Sequence, residues 1–325
     1  MRDRQLSDAQ EKVAVLLGGS SAEREVSLAT GGMVAGALRD SGFEIRLFDT
    51  QDSSFIAALM DFAPDVVFNA LHGRGGEDGT MQGLLEVLGY PYTGSGVLAS
   101  ALAMDKSASK QIYLDAQLPT SPYLVFPAAD IIADEGHGPY RARIISELGN
   151  DVVVKPNHEG SSVGVTIVHA GDGDDLSAAL TRAASYGGRV LVERFIAGTE
   201  VMASVLGNAD PHALPTIEVV ARGNFYDYDS KYSPGGSEHI IPARVGEEAN
   251  KACAQLAEQA HRALGCWGYS RSDLIVDEAG QPWLIETNTL PGMTRTSLFP
   301  DAARAVGIDF AELCVLLVHL AQDPR

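Results

Sequence analysis

Two short segments late in the chain place hard oxygen donors at strand spacing. Arg271-x-Asp273 and Glu286-x-Asn288 lie on two apolar runs separated by the turn Asp277-Glu278-Ala279-Gly280-Gln281. Residues two apart share one face of a strand. A hairpin in register therefore aims Asp273, Glu286 and Asn288 at one point, with Arg271 beside them. Two carboxylates and an amide make the all-oxygen set that Mg²⁺ prefers. A solvated hairpin face with weakly paired charges is the other reading. Val190, Val192, Leu274, Val276, Trp283 and Ile285 are expected around the acids and weigh against it, because burying carboxylates without a cation carries a heavy desolvation cost. Metal ions held there would bridge nucleotide β- and γ-phosphates and neutralise charge during phosphoryl transfer.

Cationic and glycine-rich segments offer the complementary chemistry. Lys155 ends an apolar run and leads into Pro156-Asn157-His158-Glu159-Gly160-Ser161-Ser162-Val163-Gly164, a loop of small residues whose backbone N–H groups can surround a phosphate. It is not a Walker A loop, in which lysine follows the glycines and opens a helix. An ordinary Gly/Ser hairpin is the alternative. Gly18 to Glu25 closes the first strand and opens a helix, the place where open α/β sheets bind ligands. Ser20-x-x-Glu23 also fits a capping box, so Glu23 is either a helix cap or an ammonium ligand. His72 to Gly79 carries four glycines in eight residues, which permits close approach to a small substrate or makes a turn with no ligand. Residues 221–243 are polar, rich in Gly and Tyr and without apolar periodicity, as in a lid. Lys231-Tyr232 in that segment could swing over phosphate or carboxylate, or be solvated.

The elements that position these groups fall into three parts. Residues 1–95 read as alternating strand and helix: strands Val13–Leu17, Glu44–Phe48 and Val66–Asn69, with helices near Ser27–Arg39 and Ser53–Asp61. Short continuous apolar strands point to a parallel sheet covered on both faces. Residues 96–194 read as a small α+β unit with a polar helix near Asp105–Asp115 and strands Tyr123–Phe126, Asp151–Lys155, Gly164–Val168 and Arg189–Glu193, a helix separating the last two. Residues 195–325 carry strands Glu200–Leu206, His212–Val219, Tyr269–Val276 and Trp283–Asn288, with helices Glu247–Leu264 and Phe310–Gln322. The segment Ala128–Pro139 has no assignment.

Composition limits the partners. The chain has 325 residues, 45% of them hydrophobic, enough for a buried core in two or three domains. Its formal charge of −19, with no lysine-rich tract, disfavours a nucleic-acid backbone. The longest apolar runs are far shorter than the roughly 20 residues that span a bilayer. Met1–Lys12 lacks the apolar run of a secretory signal and reads as a loose leader. Cys253, Cys266 and Cys314 contain no Cys-x-x-Cys pair, which fits reduced thiols in the cytoplasm and argues against structural zinc.

Taken together, GGSSAEREVS, HGRGGEDG, MDK, KPNHEGSSVG, the FYDYDSKY lid and IETNTLPGMT occur in an order that resembles the D-alanine–D-alanine ligase family of the ATP-grasp superfamily, from about Val13 to Gly307. The resemblance implies an ATP-grasp fold: a Rossmann-like N-terminal domain followed by two α+β domains enclosing the nucleotide. It implies ligation of two D-alanine molecules through a D-alanyl phosphate, for peptidoglycan precursors, with ATP and two Mg²⁺, for which Mn²⁺ can substitute. By motif, Lys106 and Lys155 hold phosphates with the backbone of Ser161 and Ser162. Glu193 and the backbone to Phe195 read adenine, and Glu200 holds the ribose. Asp273, Glu286 and Asn288 bind metal. Glu23 takes the first ammonium and forms a locking set with Ser161 and Tyr232, while His72 lies beside that substrate. Lys231, Ser297 and Leu298 serve the second substrate. Arg271 and the N–H of Gly292 form the oxyanion site. A homodimer is also implied. Two departures stand out: Asn157-His158 where a Ser-Arg pair is frequent, and Leu290 where a small residue or proline is usual. A D-alanyl-D-lactate ligase, commonly histidine-bearing in the lid, fits Lys231-Tyr232 less well. Another carboxylate–amine ligase of the superfamily fits HGRGGEDG less well, and a silent nucleotide-binding protein would not keep the four hairpin residues together.

Overall fold

Three sheets succeed one another along the chain. The computed structural model describes residues 10–134, 137–160, 162–169, 175–221, 237–295 and 297–324. Most of the leader, Ser161 and lid residues 222–236, including Lys231 and Tyr232, lie outside the described residues.

The first sheet is formed by β1 (Lys12–Leu17), β2 (Glu44–Asp49) and β3 (Val66–Asn69), linked by helices α1 (Arg24–Asp40) and α2 (Phe55–Phe62). Its order is β2-β1-β3 and both pairings are parallel; β1 and β3 are buried nearly throughout, as their continuous apolar runs predict, whereas the edge strand β2 is largely exposed. Val13 and Val15 face one core with α1, while Ala14 and Leu16 face another with α2 and the unforeseen α3 (Thr80–Leu88).

The second sheet is antiparallel, ordered β4-β7-β5-β6 from β4 (Tyr123–Pro127), β5 (Val152–Pro156), β6 (Thr166–Val168) and β7 (Arg189–Arg194). Before it come α4 (Val97–Met104) and α5 (Lys106–Asp115). Helix α6 (Ala128–Ala133) fills the first half of the unassigned insert, α7 (Gly138–Leu148) begins at its end, and α8 (Asp175–Ala184) precedes β7. Register places Glu193 opposite Tyr123 and Val153, and Leu191 opposite Val125 and Lys155, so these residues share one face. Val190 and Val192 lie on the opposite face, in a core with α6, α7 and α8. The expectation that they surround the hairpin acids is therefore corrected: one step along a strand reverses the side-chain direction.

The third sheet runs β11-β10-β8-β12-β13, from β8 (Gly198–Leu206), β9 (His212–Ala213, pairing β8), β10 (Ile217–Ala221), β11 (Ser237–Ile240), β12 (Tyr269–Asp277) and β13 (Pro282–Asn288). The single strand expected over His212–Val219 is broken, because Pro215 has no N–H to continue a ladder. Helix α9 (Glu247–Leu264) covers the back of this sheet with Val201, Ala203, Leu274, Val276 and Leu284, so Leu274 and Val276, like Val190 and Val192, lie on the face away from the hairpin acids that they were expected to surround. Two further helices, α10 (Leu298–Ala305) and α11 (Phe310–Ala321), bring Phe299, Leu313 and Leu317 into the core of α1 and β3. The end of the chain thus seals the first sheet against the third. No described helix is long and apolar enough to cross a membrane.

Candidate active site

The hairpin pairs as its alternation predicts. Asp273 stands opposite Glu286 and Arg271 opposite Asn288, with a register irregularity just after Asp273. All four project from one face of β12 and β13. Arg271 grips Asp273 through two bonds, Nε to Oδ1 at 2.6 Å and a terminal nitrogen to Oδ2 at 2.9 Å. Asn288 Oδ1 accepts the N–H of Leu290 at 2.8 Å. Leu290 itself is buried against Gly94, so its departure from the usual small residue is absorbed by packing.

Helix α5 ties the second sheet to the hairpin. Lys106 Nζ lies 2.9 Å from Glu286 Oε2. Burial works against the charge on Lys106, but Glu286, Glu193 and Asp273 outweigh it and hold its pKa above the ordinary lysine value. One turn on, the buried Lys110 ammonium lies 2.5 Å from Glu193 Oε1, and Lys155 is paired with Glu193 Oε2. A further turn on, the Tyr113 hydroxyl donates to Thr287 Oγ1 at 2.8 Å, and Thr287 meets Ser272 at 2.9 Å, behind Glu286 and Asn288. Burial opposes ionisation of Glu193, yet the two lysines win and bring its pKa down to about 2. Sequence reasoning missed Lys110 and Tyr113. Their signal was the spacing Lys106, Lys110, Tyr113, one face of a helix at i, i+4 and i+7.

Asp105 organises the start of this helix and the loop after Lys155. It caps α5 by accepting from Ala108 N–H at 3.0 Å, takes Ser107 Oγ and Asn157 Nδ2 at 2.7 Å each, and is paired with Arg189. These bonds, against an opposing burial effect, lower its pKa to about 2. Asn157 Oδ1 in turn accepts Ser107 N–H at 2.9 Å, and His158 Nε2 lies 3.2 Å from Asp105. The unusual Asn-His pair is thus spent on fastening the loop to α5.

The first sheet brings its two glycine loops to the same place. Ser21 Oγ donates to the His72 carbonyl at 2.7 Å, joining them. His72 is held between Thr30 at 3.1 Å and Glu77 at 3.3 Å. Glu23 begins α1 but makes no side-chain cap, so the capping-box reading of Ser20 and Glu23 fails. Its carboxylate is instead turned toward the loops: a Cβ placed on Gly73 would come within 2.9 Å of Glu23 Oε2, and one on Gly160 within 3.8 Å. Gly73 has a φ of 70°, which any other side chain adopts only with strain. Glu23 therefore sits where the N-terminal loops meet the loop after Lys155.

The remaining predicted residues are dispersed around this centre. Ser297 Oγ accepts from Thr294 N–H at 3.1 Å and lies 2.9 Å from a Cβ built on Gly292, so the Gly292 backbone and Ser297 are neighbours. Leu298 is buried in the core shared with α1, which leaves its backbone, not its side chain, to meet a ligand. Glu200 pairs in register with Ile275, on the face of Asp273. Phe195 is half-buried, its ring set edge-on to His169. Ser162 has a φ of 60° in the loop after Lys155.

As a metal site the hairpin offers two carboxylates and an amide oxygen on paired strands, compensated by Arg271 and Lys106. That donor chemistry suits a hard divalent cation. Among the described residues no group of three or more His, Cys, Asp or Glu side chains is placed to hold a metal. Cys253, Cys266 and Cys314 are buried free thiols, each pushed up to about 12 by burial.

Family models described as the D-ala D-ala ligase N-terminus and C-terminus match residues 57–95 and 112–319. The D-alanine–D-alanine ligase of Moorella thermoacetica is 47% identical over 313 residues, 96% of this chain and 100% of that protein. The ligase of the same name from Desulforudis audaxviator is 50% identical over 313 residues, 96% of this chain and 99% of that one. A crystal structure of the Bacillus anthracis D-alanine–D-alanine ligase complexed with ATP superposes with a TM-score of 0.80 at 30% identity, covering 96% of this chain and 97% of that one.

Proposed function

We infer that this chain, which belongs to the D-alanine–D-alanine ligase family and has the ATP-grasp fold its motifs imply, carries out the ADP-forming joining of two D-alanine molecules. We propose that the second and third sheets perform it on one Mg-ATP held between their facing surfaces. The observation that carries this reading is the Lys106–Glu286 contact at 2.9 Å, which sets the cation assigned to the phosphates, on α5, against the carboxylate assigned to the metal, on β13.

In this reading Lys106, Lys155 and the backbone of Ser161 and Ser162 take the phosphates. Glu193 and the backbone through Phe195 face adenine, and Glu200 faces the ribose. Asp273, Glu286 and Asn288 would hold two Mg²⁺, or Mn²⁺ in their place, which supply charge neutralisation at the β- and γ-phosphates. Glu23 accepts the ammonium of the first D-alanine, beside His72. The carboxylate of that D-alanine attacks the γ-phosphate and forms a D-alanyl phosphate, releasing ADP. Lys231, Ser297 and the backbone of Leu298 hold the second D-alanine, whose amine attacks the acyl carbon. Arg271 and the Gly292 N–H receive the developing oxyanion, and phosphate leaves. Glu23, Ser161 and Tyr232 lock the lid over the intermediate and exclude the water that would hydrolyse it. The division into parts at residues 95 and 194, a homodimer and a cytoplasmic location, where ATP is supplied, belong to the same reading.

ADP release from Mg-ATP, tested separately with D-alanine, L-alanine, D-serine and D-lactate, checks it. Turnover with D-alanine alone and formation of the dipeptide are expected. Turnover with L-alanine alone overturns the substrate assignment, and preferential coupling to D-lactate moves the chain to the depsipeptide-forming reading.

A further inference from the structure

Glu193 is shared by two lysines that are not equivalent. Lys110, fully buried on α5, lies 2.5 Å from Glu193 Oε1 and is also fixed by Thr120 Oγ1 at 2.6 Å, Ser121 Oγ at 3.0 Å and the Ser121 carbonyl at 3.2 Å. Ser121 Oγ closes the ring by donating to Glu193 at 3.0 Å. Lys155 reaches the other carboxylate oxygen from β5, and Glu193 is its ion-pair partner among the described residues. The proposed function gives Lys155 a second employment at the nucleotide phosphates. When a triphosphate draws that ammonium away, a carboxylate with 2% exposure is left facing added negative charge. An uncompensated buried carboxylate either resists the change or takes up a proton.

We propose that Lys110 is the standing counter-ion of Glu193, a positioning residue that keeps the carboxylate ionised and in place while Lys155 transfers to the nucleotide. The inference rests on Lys155 serving the phosphates. The groups facing Glu193 are few. Lys110 and, at longer range, Lys106 approach from α5 and Lys155 from β5. Tyr123 shares its face from β4, with Lys110 5.4 Å from the ring centre. From the hairpin, Glu286 acts on Lys106 and Lys110, and Asp273 on Lys106. Of these, Lys110 is the cation that Thr120 Oγ1, Ser121 Oγ and the Ser121 carbonyl hold in addition to Glu193, whereas the ion pair of Lys155 is with Glu193, so a ligand draws on Lys155 first.

The test compares Lys110→Met, Lys110→Arg and Lys155→Met in the full chain, with thermal melting to confirm folding. KM for ATP and for D-alanine is measured from about pH 6 to 9, and proton uptake on Mg-ADP binding is measured by calorimetry in two buffers of different ionisation enthalpy. Lys110→Met is expected to raise KM for ATP by about tenfold at the alkaline end, the equivalent of one pKa unit, and progressively less toward acid as Glu193 binds a proton. KM for D-alanine stays within about twofold, and Lys110→Arg keeps the flat profile of the parent. A folded Lys110→Met with unchanged KM for ATP, or with a rise independent of pH and no proton uptake, overturns the proposal. Should that variant not fold, the parent decides: net uptake of a proton with Mg-ADP at about pH 8, where the nucleotide itself is fully ionised, also overturns it. An unchanged KM for ATP in Lys155→Met removes the phosphate role beneath the proposal, whereas a large rise there beside a parent-like Lys110→Met removes the Lys110 assignment alone.

Discussion

The two charge clusters that face each other across this site differ in depth. Around Glu193, two lysines and one carboxylate are almost wholly withdrawn from water and cross-braced by Thr120 and Ser121. On the hairpin, Asp273 is held by Arg271, while the Glu286 side chain keeps 27% of its surface exposed beside Lys106. The deep cluster carries a surplus cation and is braced whether or not an anion arrives. The shallow one is balanced by cations that a metal ion can replace. In the proposed reading depth separates two roles: Glu193 serves stability and function together, whereas Glu286 is expected to be altered with little cost to folding.

Glu286→Gln breaks the comparison from the functional side. Removing the charge should reduce turnover by roughly 10²- to 10³-fold or more, the scale seen when one preorganised electrostatic partner is lost at a charged transition state. The melting temperature should stay close to that of the parent, because solvent reaches Glu286 and screens its contact with Lys106. ADP-release kinetics and a thermal melt read both; normal turnover would remove Glu286 from the metal set.

Glu193→Ala breaks it from the other side. Two buried lysines lose their common partner, and deletion of one member of such a cluster costs about 3–5 kcal/mol. Urea unfolding should show a large drop in midpoint for this variant and a much smaller one for Glu286→Gln, whose side chain is 27% exposed. Equal drops would erase the distinction of depth. Acid sharpens it further. Glu193 has its folded pKa lowered from about 4.5 to about 2, so its contribution is complete above the unfolded value and is lost as the pH falls from about 4.5 toward 2. Parent stability should decline through that window, to which Asp105 also contributes, and the decline should be shallower in a Glu193→Gln variant that still folds.

The same contrast explains what could be read in advance. Asp273, Glu286 and Asn288 were legible because strand alternation alone fixes which side chains share a face, and the register then pairs them. In the first sheet β1 and β3 were legible from continuous apolar runs, whereas α3 was not foreseen. Lys110 was not, because a lysine on a polar helix is ordinarily a solvated one, and its burial is decided by Thr120, Ser121 and Glu193 arriving from elsewhere in the chain. The placement of Val190 and Val192 failed for a related reason: an apolar strand buried on both faces gives no hint of which face meets the site. Glu23 lay between, since the local Ser-x-x-Glu pattern competes with a role that only the approach of Gly73 and Gly160 reveals.

The smallest effect concerns the first sheet, where Arg24 and Asp49 support the glycine loop leading to Glu23. Asp49 accepts Arg24 at 2.9 Å and 2.5 Å and the Gly19 N–H at 3.3 Å, and Arg24 also donates to the Gly19 carbonyl at 2.9 Å. The Arg24 bonds, with help from the Gln51 and Gly19 N–H groups and against burial, hold the Asp49 carboxyl well below the usual carboxylate range. Both side chains are about one-third exposed, at 31% and 33%, so solvent screens the pair. Asp49→Asn should cost under about 1 kcal/mol of stability. Because Glu23 lies four residues beyond Gly19, a loosened loop is expected to raise KM for D-alanine by a few-fold while leaving KM for ATP unchanged. A rise in KM for ATP instead would place the support of this loop at the nucleotide and not at the amino acid.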